Sequence, residues 1–228
     1  MKHRSEIINY FAQKINAKSY LELGLCNPDE VFNRINCQIK HSVDINDEVA
    51  TYTMSTDEFF ERLKTSNLDL DKNYKWDLIF IDANHLSNFV KNDLLNSYKH
   101  LNDEGFIFLH DVLPQTYELQ SEYGGCQTAW KVVPYVLKNH PELHICTISE
   151  YSNGLGIVFK NKDFTREVLD ENYNVFYEYY IMEKDKKTSQ NYIEHEFLDE
   201  WINNPTYTFN GEIIKHKENM FEEYFKFY

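Results

Sequence analysis

Two apolar runs that each end in acid constrain this chain most: Trp76-Asp77-Leu78-Ile79-Phe80-Ile81-Asp82, and Gly105-Phe106-Ile107-Phe108-Leu109-His110-Asp111. Runs this short and this apolar suit strands buried on both faces, the situation of a parallel sheet layered between helices. Between them, Val90, Leu94, Leu95, Tyr98 and Leu101 recur at the spacing of one buried helical face. Strand, helix and strand then form one right-handed crossover whose two strands are neighbours. Ligands of such sheets sit just beyond the carboxyl ends of the strands. Asp82, His85, His110 and Asp111 are therefore expected on one rim.

The rest of the first 160 residues extends this pattern. Ile7, Ile8, Phe11 and Ile15 predict a leading helix, and Ser19 to Leu23 a first strand ending in a tight turn at Gly24. Asn27-Pro28-Asp29-Glu30 reads as a helix start, with a capping side chain, a proline suited to the first turn and early acids. Strands are expected at Ile39 to Asp44 and near Ala50 to Met54, and Ser55 with Glu58 forms a capping box for the next helix. Asn102 to Gly105 reads as the turn before the fifth strand. A helix near Trp130 to Leu137 is followed by Leu143 to Ile148 and Gly154 to Phe159, an antiparallel pair that reverses the last strand. Residues 163–228, rich in Tyr, Phe, Glu and Lys, have helical spacing in several places and are expected to form a helical extension.

A formal charge of -14 disfavours a nucleic-acid backbone or an anionic membrane as main partner, since both attract clustered Lys and Arg. Cys26, Cys37, Cys126 and Cys146 show neither a C-x-x-C pair nor zinc-ligand spacing, which points to a reduced, cytoplasmic setting. No stretch has signal-peptide or membrane-spanning character.

The rim following the first strand narrows the ligand. Leu21-Glu22-Leu23-Gly24 has one glycine where dinucleotide fingerprints need three. Asp44, twenty residues on, is placed to accept hydrogen bonds from a ribose diol. Asp29 and Glu30, in the first turn of the expected helix, would repel a pyrophosphate. A ribose-containing cofactor without phosphate, such as S-adenosylmethionine, fits better than a nicotinamide dinucleotide.

At these residues the chain resembles a class I S-adenosylmethionine-dependent methyltransferase, and within that family the branch met beside glycosyltransferases in surface-glycan pathways. The resemblance runs in order through Tyr20-Leu-Glu-Leu-Gly24, Ser42-Val-Asp44, Met54-Ser-Thr-Asp-Glu-Phe-Phe60, Asp77-Leu-Ile-Phe-Ile-Asp82 with His85, His110-Asp-Val-Leu-Pro114, Ala129-Trp-Lys131 and Gly154-Leu-Gly-Ile157. Many members of the family have a glycine where this chain has Cys26.

The resemblance implies a Rossmann-like α/β domain over residues 1–162, with a mostly parallel seven-stranded sheet and helices on both faces. Residues 163–228 would then serve as lid, substrate contact or homodimer contact. It implies Glu22 and Gly24 beside the methionine moiety, Asp44 at the ribose, Ser55 or Thr56 near adenine, and Asp82 near the amino group and sulfonium. Asn27, Ile45 and Ala83 join the cofactor contacts. A small hydroxylated acceptor, a sugar or surface-glycan precursor, is the implied substrate.

An acceptor hydroxyl needs a base or a cation beside it to become a nucleophile. His85 and His110 are the candidate bases, with Asp111 positioning His85 or the acceptor. Some relatives with this fold place a divalent ion on acids at these two strand ends, so a metal here, if one is used, would fall to Asp82 and Asp111. Trp130 is a candidate for stacking on a sugar ring or for the core. The competing reading is a non-catalytic partner or regulatory module that keeps the fold.

Overall fold

The computed structural model describes residues 3–45, 49–114, 119, 125–140, 142–148 and 153–160, together with five short strands beyond residue 160. Helix α1 (Arg4–Ile15) opens the fold. His3 and Glu6 satisfy its first backbone groups reciprocally, and Asn16 ends it in the left-handed region at φ 52°. Its buried stripe is Ile7, Ile8, Phe11 and Ala12.

Strands β1 (Ser19–Leu23), β2 (Ile39–Asp44), β3 (Tyr52–Thr53), β4 (Trp76–Ile81), β5 (Leu101–His110), β6 (His144–Ile148) and β7 (Leu155–Phe159) form the sheet. Their order is β3-β2-β1-β4-β5-β7-β6, and the two-residue β8 (Val175–Phe176) joins beside β6. Neighbours from β3 to β5 are parallel, whereas β7 is antiparallel to both β5 and β6. The reversed strand anticipated from the 143–159 pattern is thus β7. The chain builds outward from β1 to β3, then returns to β4 on the other side of β1. The strand order reverses between β1 and β4, and this is the switch point at which an open sheet admits a ligand.

Alternation along the strands sends side chains to two cores. Leu21, Leu23, Ile79, Ile81, Ile107 and Leu109 pack under helices α2 (Thr56–Lys64), α3 (Ser87–Lys99) and α4 (Val132–Asn139). Tyr20, Leu78, Phe80, Phe106 and Phe108 face α1, where the Phe11 ring lies 4.8 Å from Phe106 and 5.5 Å from Phe108 between centroids. Each fully buried phenylalanine contributes about 1.5–3 kcal/mol. Helices therefore cover both faces of the sheet.

Three stretches depart from expectation. No α-helix follows Asn27: its Oδ1 accepts from the Asp29 N–H at 3.1 Å, closing a local turn, and only a single 3-10 turn at Phe32–Arg34 ensues. An Asn side chain that bonds the backbone two residues on competes directly with helix formation. Strand β5 starts at Leu101, and Asn102 to Gly105 forms a bulge within it, the register jumping from Trp76↔Leu101 to Leu78↔Phe106. Gly105 is required there, because a Cβ would stand 2.6 Å from the Asp77 carbonyl oxygen.

Beyond residue 160 the described residues are strands, not the expected helices. Besides β8 they are β9 (Ile181–Met182) paired with β10 (Gln190–Asn191), and β11 (Thr206–Phe209) paired with β12 (Glu212–Lys215), all antiparallel. The remainder of the 163–228 expectation lies outside the described residues. The overlooked signal is Asn210-Gly211 between alternating residues, a strong two-residue hairpin marker. Among the described residues no helix is long and apolar enough to cross a membrane.

Candidate active site

Gly24 links the two halves of the switch point. It has φ +87°, and a Cβ on it would lie 2.3 Å from the Asp82 carbonyl oxygen and 2.4 Å from the Ala83 Cα. The turn leaving β1 therefore rests on the main chain leaving β4, and only a residue without a side chain permits it. Cys26, where the resemblance favours glycine, also keeps the left-handed backbone, at φ 44°.

Around this turn the residues singled out in the sequence divide by what holds them. Asp44 Oδ2 accepts from the Leu25 and Cys26 N–H groups at 2.8 and 3.2 Å, so the carboxylate shapes the turn at the edge of which it stands. Ile45, immediately after β2, is 80% exposed. Ser55 caps α2 by accepting from the Glu58 N–H at 3.2 Å, and Thr56 opens that helix near the buried Asp93, whose carboxyl burial pushes up to about 7. Asn27 is engaged in its own turn. Glu22 is buried in the middle of the sheet and accepts from the Tyr20 hydroxyl at 2.5 Å. Burial pushes the Glu22 carboxyl up to about 8, against the pull of the Tyr20 bond.

The β4 and β5 rim brings the four expected residues into one cluster. Asp82 Oδ1 lies 2.8 Å from His110 Nδ1 and 3.1 Å from His85 Nε2. Asp111 Oδ2 lies 3.4 Å from His110 Nδ1 and 3.6 Å from His85 Nδ1. Asp111 is buried and adopts φ 57°, a left-handed conformation uncommon outside glycine and the short polar residues. Burial acts to raise the Asp82 carboxyl, yet the two histidines and the Arg4 charge outweigh it and hold it well below the usual carboxylate range.

His85 Nδ1 donates to the Gly125 carbonyl at 2.6 Å, which leaves Nε2 directed at Asp82. The Asp82 bond pushes its pKa up despite burial. The 125–128 segment is tied to the same loop, Thr128 N–H donating to the His85 carbonyl at 3.1 Å and Ser87 N–H to Thr128 Oγ1 at 2.8 Å.

Sequence reasoning missed two members of this site. Arg4, from the first turn of α1, donates from Nη1 to His110 Nε2 at 2.8 Å, lies 3.4 Å from Asp82 Oδ2, and pairs through Nη2 with Glu30 at 2.7 Å. Nothing local signals a partner 106 positions away. Cys126 is buried beside Asp111, and burial together with that carboxylate pushes its thiol up to about 12. Trp130, by contrast, is buried in the core under the helices, and its Nε1 donates to the Gln127 carbonyl at 3.1 Å.

Among the described residues one group of three could hold a metal ion by proximity, Asp82, His85 and His110, with donor atoms within 4.8 Å of one another. It shares Asp82 with the pair expected from the sequence but replaces Asp111 by two imidazoles. The donors do not suit an ion. Arg4 can only donate, so His110 Nε2 must carry the lone pair and Nδ1 the proton, and a protonated Nδ1 has nothing to offer a metal.

Residues 16–112 match the family described as a methyltransferase domain. No curated protein matches the sequence. Among solved structures the chain is similar to the O-methyltransferase TomG of Streptomyces achromogenes, involved in tomaymycin synthesis and crystallised with SAM. Identity is 11%, over 70% of this chain and 80% of that one, with a TM-score of 0.51. An O-methyltransferase from Bacillus cereus in complex with SAH gives 11% identity, 70% and 82% coverage and a TM-score of 0.51. Cofactor-bound Rv0187 from MTB gives 14%, 72% and 82%, and 0.52. At such identities the likeness is one of fold: a Rossmann-like methyltransferase sheet.

Proposed function

We propose that this chain, which carries a methyltransferase domain over residues 16–112, is an S-adenosylmethionine-dependent O-methyltransferase acting on a small hydroxylated acceptor. The observation that carries the reading is the seating of Gly24 on the Asp82–Ala83 main chain. It puts a ribose-type acid, Asp44, and an exposed apolar residue, Ile45, on one side of the crevice and the histidine–carboxylate cluster on the other. The crevice fits a cofactor with a nucleoside and no phosphate. No α-helix N-terminus follows β1, so the backbone donors that a pyrophosphate needs are missing from that turn. This replaces the charge-repulsion argument from Asp29 and Glu30 with a geometric one.

S-adenosylmethionine, when bound, supplies an electrophilic methyl group on a sulfonium. The chain's own task is then to hold the donor, orient the acceptor and accept a proton. Asp44 takes the ribose diol and Ile45 offers adenine an apolar face. His85 is the base: with Nδ1–H fixed on the Gly125 carbonyl, its neutral ring carries the lone pair on Nε2, and a proton taken there is stabilised by Asp82 alongside. Asp111, 3.6 Å from the ring, adds to its proton affinity and restricts its orientation. The lone pair of His110, on Nε2, is taken by the Arg4 donor and its Nδ1 carries the proton, so this ring has no lone pair to offer an acceptor hydroxyl and serves as a spacer, not as a second base.

For the acceptor we assign a sugar or surface-glycan precursor. Support comes from the sequence resemblance through Asp82, His85, His110 and Asp111 and from the polar character of the rim they form. We place the reaction in the cytoplasm and assign residues 163–228 to acceptor or homodimer contacts.

Isothermal titration with S-adenosylmethionine tests the donor. The wild type is expected to bind, and Asp44→Ala to weaken binding by about tenfold to hundredfold, the worth of a charge-assisted hydrogen bond. No binding by the wild type would overturn the assignment. Transfer of labelled methyl to sugar hydroxyls but not to catechols is the expected acceptor result, and the opposite preference would remove the carbohydrate while leaving methyl transfer in place.

A further inference from the structure

We propose that Arg4 is the resident cation of this rim: its guanidinium fixes His110 with the proton on Nδ1 and thereby bars a divalent ion from the Asp82, His85 and His110 donors. Metal-ligating histidines present a lone pair to the ion and donate the other ring N–H to a carboxylate, a carbonyl or water. At His110 the arrangement is the reverse. The nitrogen facing Asp82 Oδ1, at 2.8 Å, is the one that must carry hydrogen, because the outer nitrogen receives the Arg4 Nη1 donor at 2.8 Å.

The guanidinium also supplies the positive charge that a metal would bring. It stands 3.4 Å from Asp82 Oδ2, its side chain is only 12% exposed, and it lies over the Phe80 ring at 5.7 Å. Glu30 anchors it from the opposite side at 2.7 Å. An arginine cannot give up its charge in a protein, so this cation is permanent. Arg4 is a positioning residue: it acts on the site through His110 and Asp82. The inference concerns the charge of the rim and is independent of what the site transfers.

The test uses the full-length protein labelled with 15N at histidine. In the wild type, His110 is expected to show an unprotonated Nε2 and a protonated Nδ1. Manganese(II) chloride is expected neither to bind saturably by titration calorimetry nor to broaden the His85 and His110 signals. In Arg4→Gln, whose amide oxygen can accept from Nε2–H, the other tautomer becomes available and Mn2+ is expected to bind about tenfold or more tightly than in the wild type. Arg4→Lys keeps donor and charge and should still exclude the ion.

The proposal is overturned if wild-type His110 carries its proton on Nε2, if Mn2+ broadens the wild-type His85 and His110 signals, or if Arg4→Gln binds Mn2+ no better than the wild type. Should Arg4→Gln fail to fold, the wild-type tautomer and Mn2+ titration decide alone. None of these readouts involves methyl transfer, so they stand or fall apart from the proposed activity.

Discussion

Strand β4 carries an aspartate near each end, and the two are held in opposite ways. At the entry, Asp77 accepts from fixed groups: the Lys18 and Ser19 N–H at 2.7 and 3.0 Å, the Ser19 hydroxyl at 3.1 Å and the Asn102 amide at 2.7 Å. At the exit, Asp82 is surrounded by side chains that carry or exchange protons, His85, His110 and Arg4. Burial works to raise both carboxyls, and in both it is outweighed, so each lies below its ordinary range. The two acids thus share a residue type, the flanks of one strand and the direction of the shift, and differ in their partners. Fixed backbone dipoles make a knot, whereas titratable partners make a relay.

The contrast is broken most decisively by Asp82→Asn. Loss of the charge beside His85 is expected to lower kcat by about 10²–10⁴-fold, the range for general-base catalysis, with a small change in the urea midpoint. A large loss of stability with full activity per folded molecule would reduce Asp82 to a second knot. Asp77→Ala should do the reverse. Stranding the Lys18 and Ser19 N–H groups costs about 2–4 kcal/mol in urea unfolding, while cofactor affinity of the folded fraction stays unchanged.

Glu22 sharpens the comparison from inside the sheet. Its carboxyl keeps its proton in the fold up to about 8 because of burial, while the unfolded chain releases it near 4.3. Between those values stability falls as pH rises, and it levels off above about pH 8. Glu22→Gln should abolish that slope, seen as a gain in urea midpoint over wild type at pH 9 that is absent at pH 4. The smallest effect is expected at Cys26. Glycine there relieves a left-handed backbone by about 1 kcal/mol, with cofactor affinity kept or slightly improved.

Much of this architecture is legible in the sequence where one local rule governs. The buried runs before Asp82 and Asp111 need no tertiary information to be placed on one rim, and the Ser55–Glu58 pair marks the start of α2. Legibility fails where a choice depends on distant atoms or on competition. Asn27 offers both a helix cap and a local turn, and the turn prevails. Ser55 and Thr56 have hydroxyls suited to a ligand, but one caps a helix and the other sits in that helix's first turn. Asp44 reads as a ribose acid, while its bonds to Leu25 and Cys26, visible only in three dimensions, give it a second duty. Arg4 is the extreme case, since a basic residue near the start of an amphipathic helix has no local feature connecting it to His110.

Helix α1 carries a practical consequence. The recognisable methyltransferase stretch starts at residue 16, one position past this helix. A fragment cut at that boundary would discard Ile7, Ile8, Phe11 and Ala12, strip the cover from the aromatic face of the sheet, and leave Phe106 and Phe108 open to water. It would also delete the guanidinium at the rim. Boundaries drawn by likeness alone would therefore yield an insoluble or electrostatically altered remnant, and engineering of this protein should keep the first fifteen residues intact.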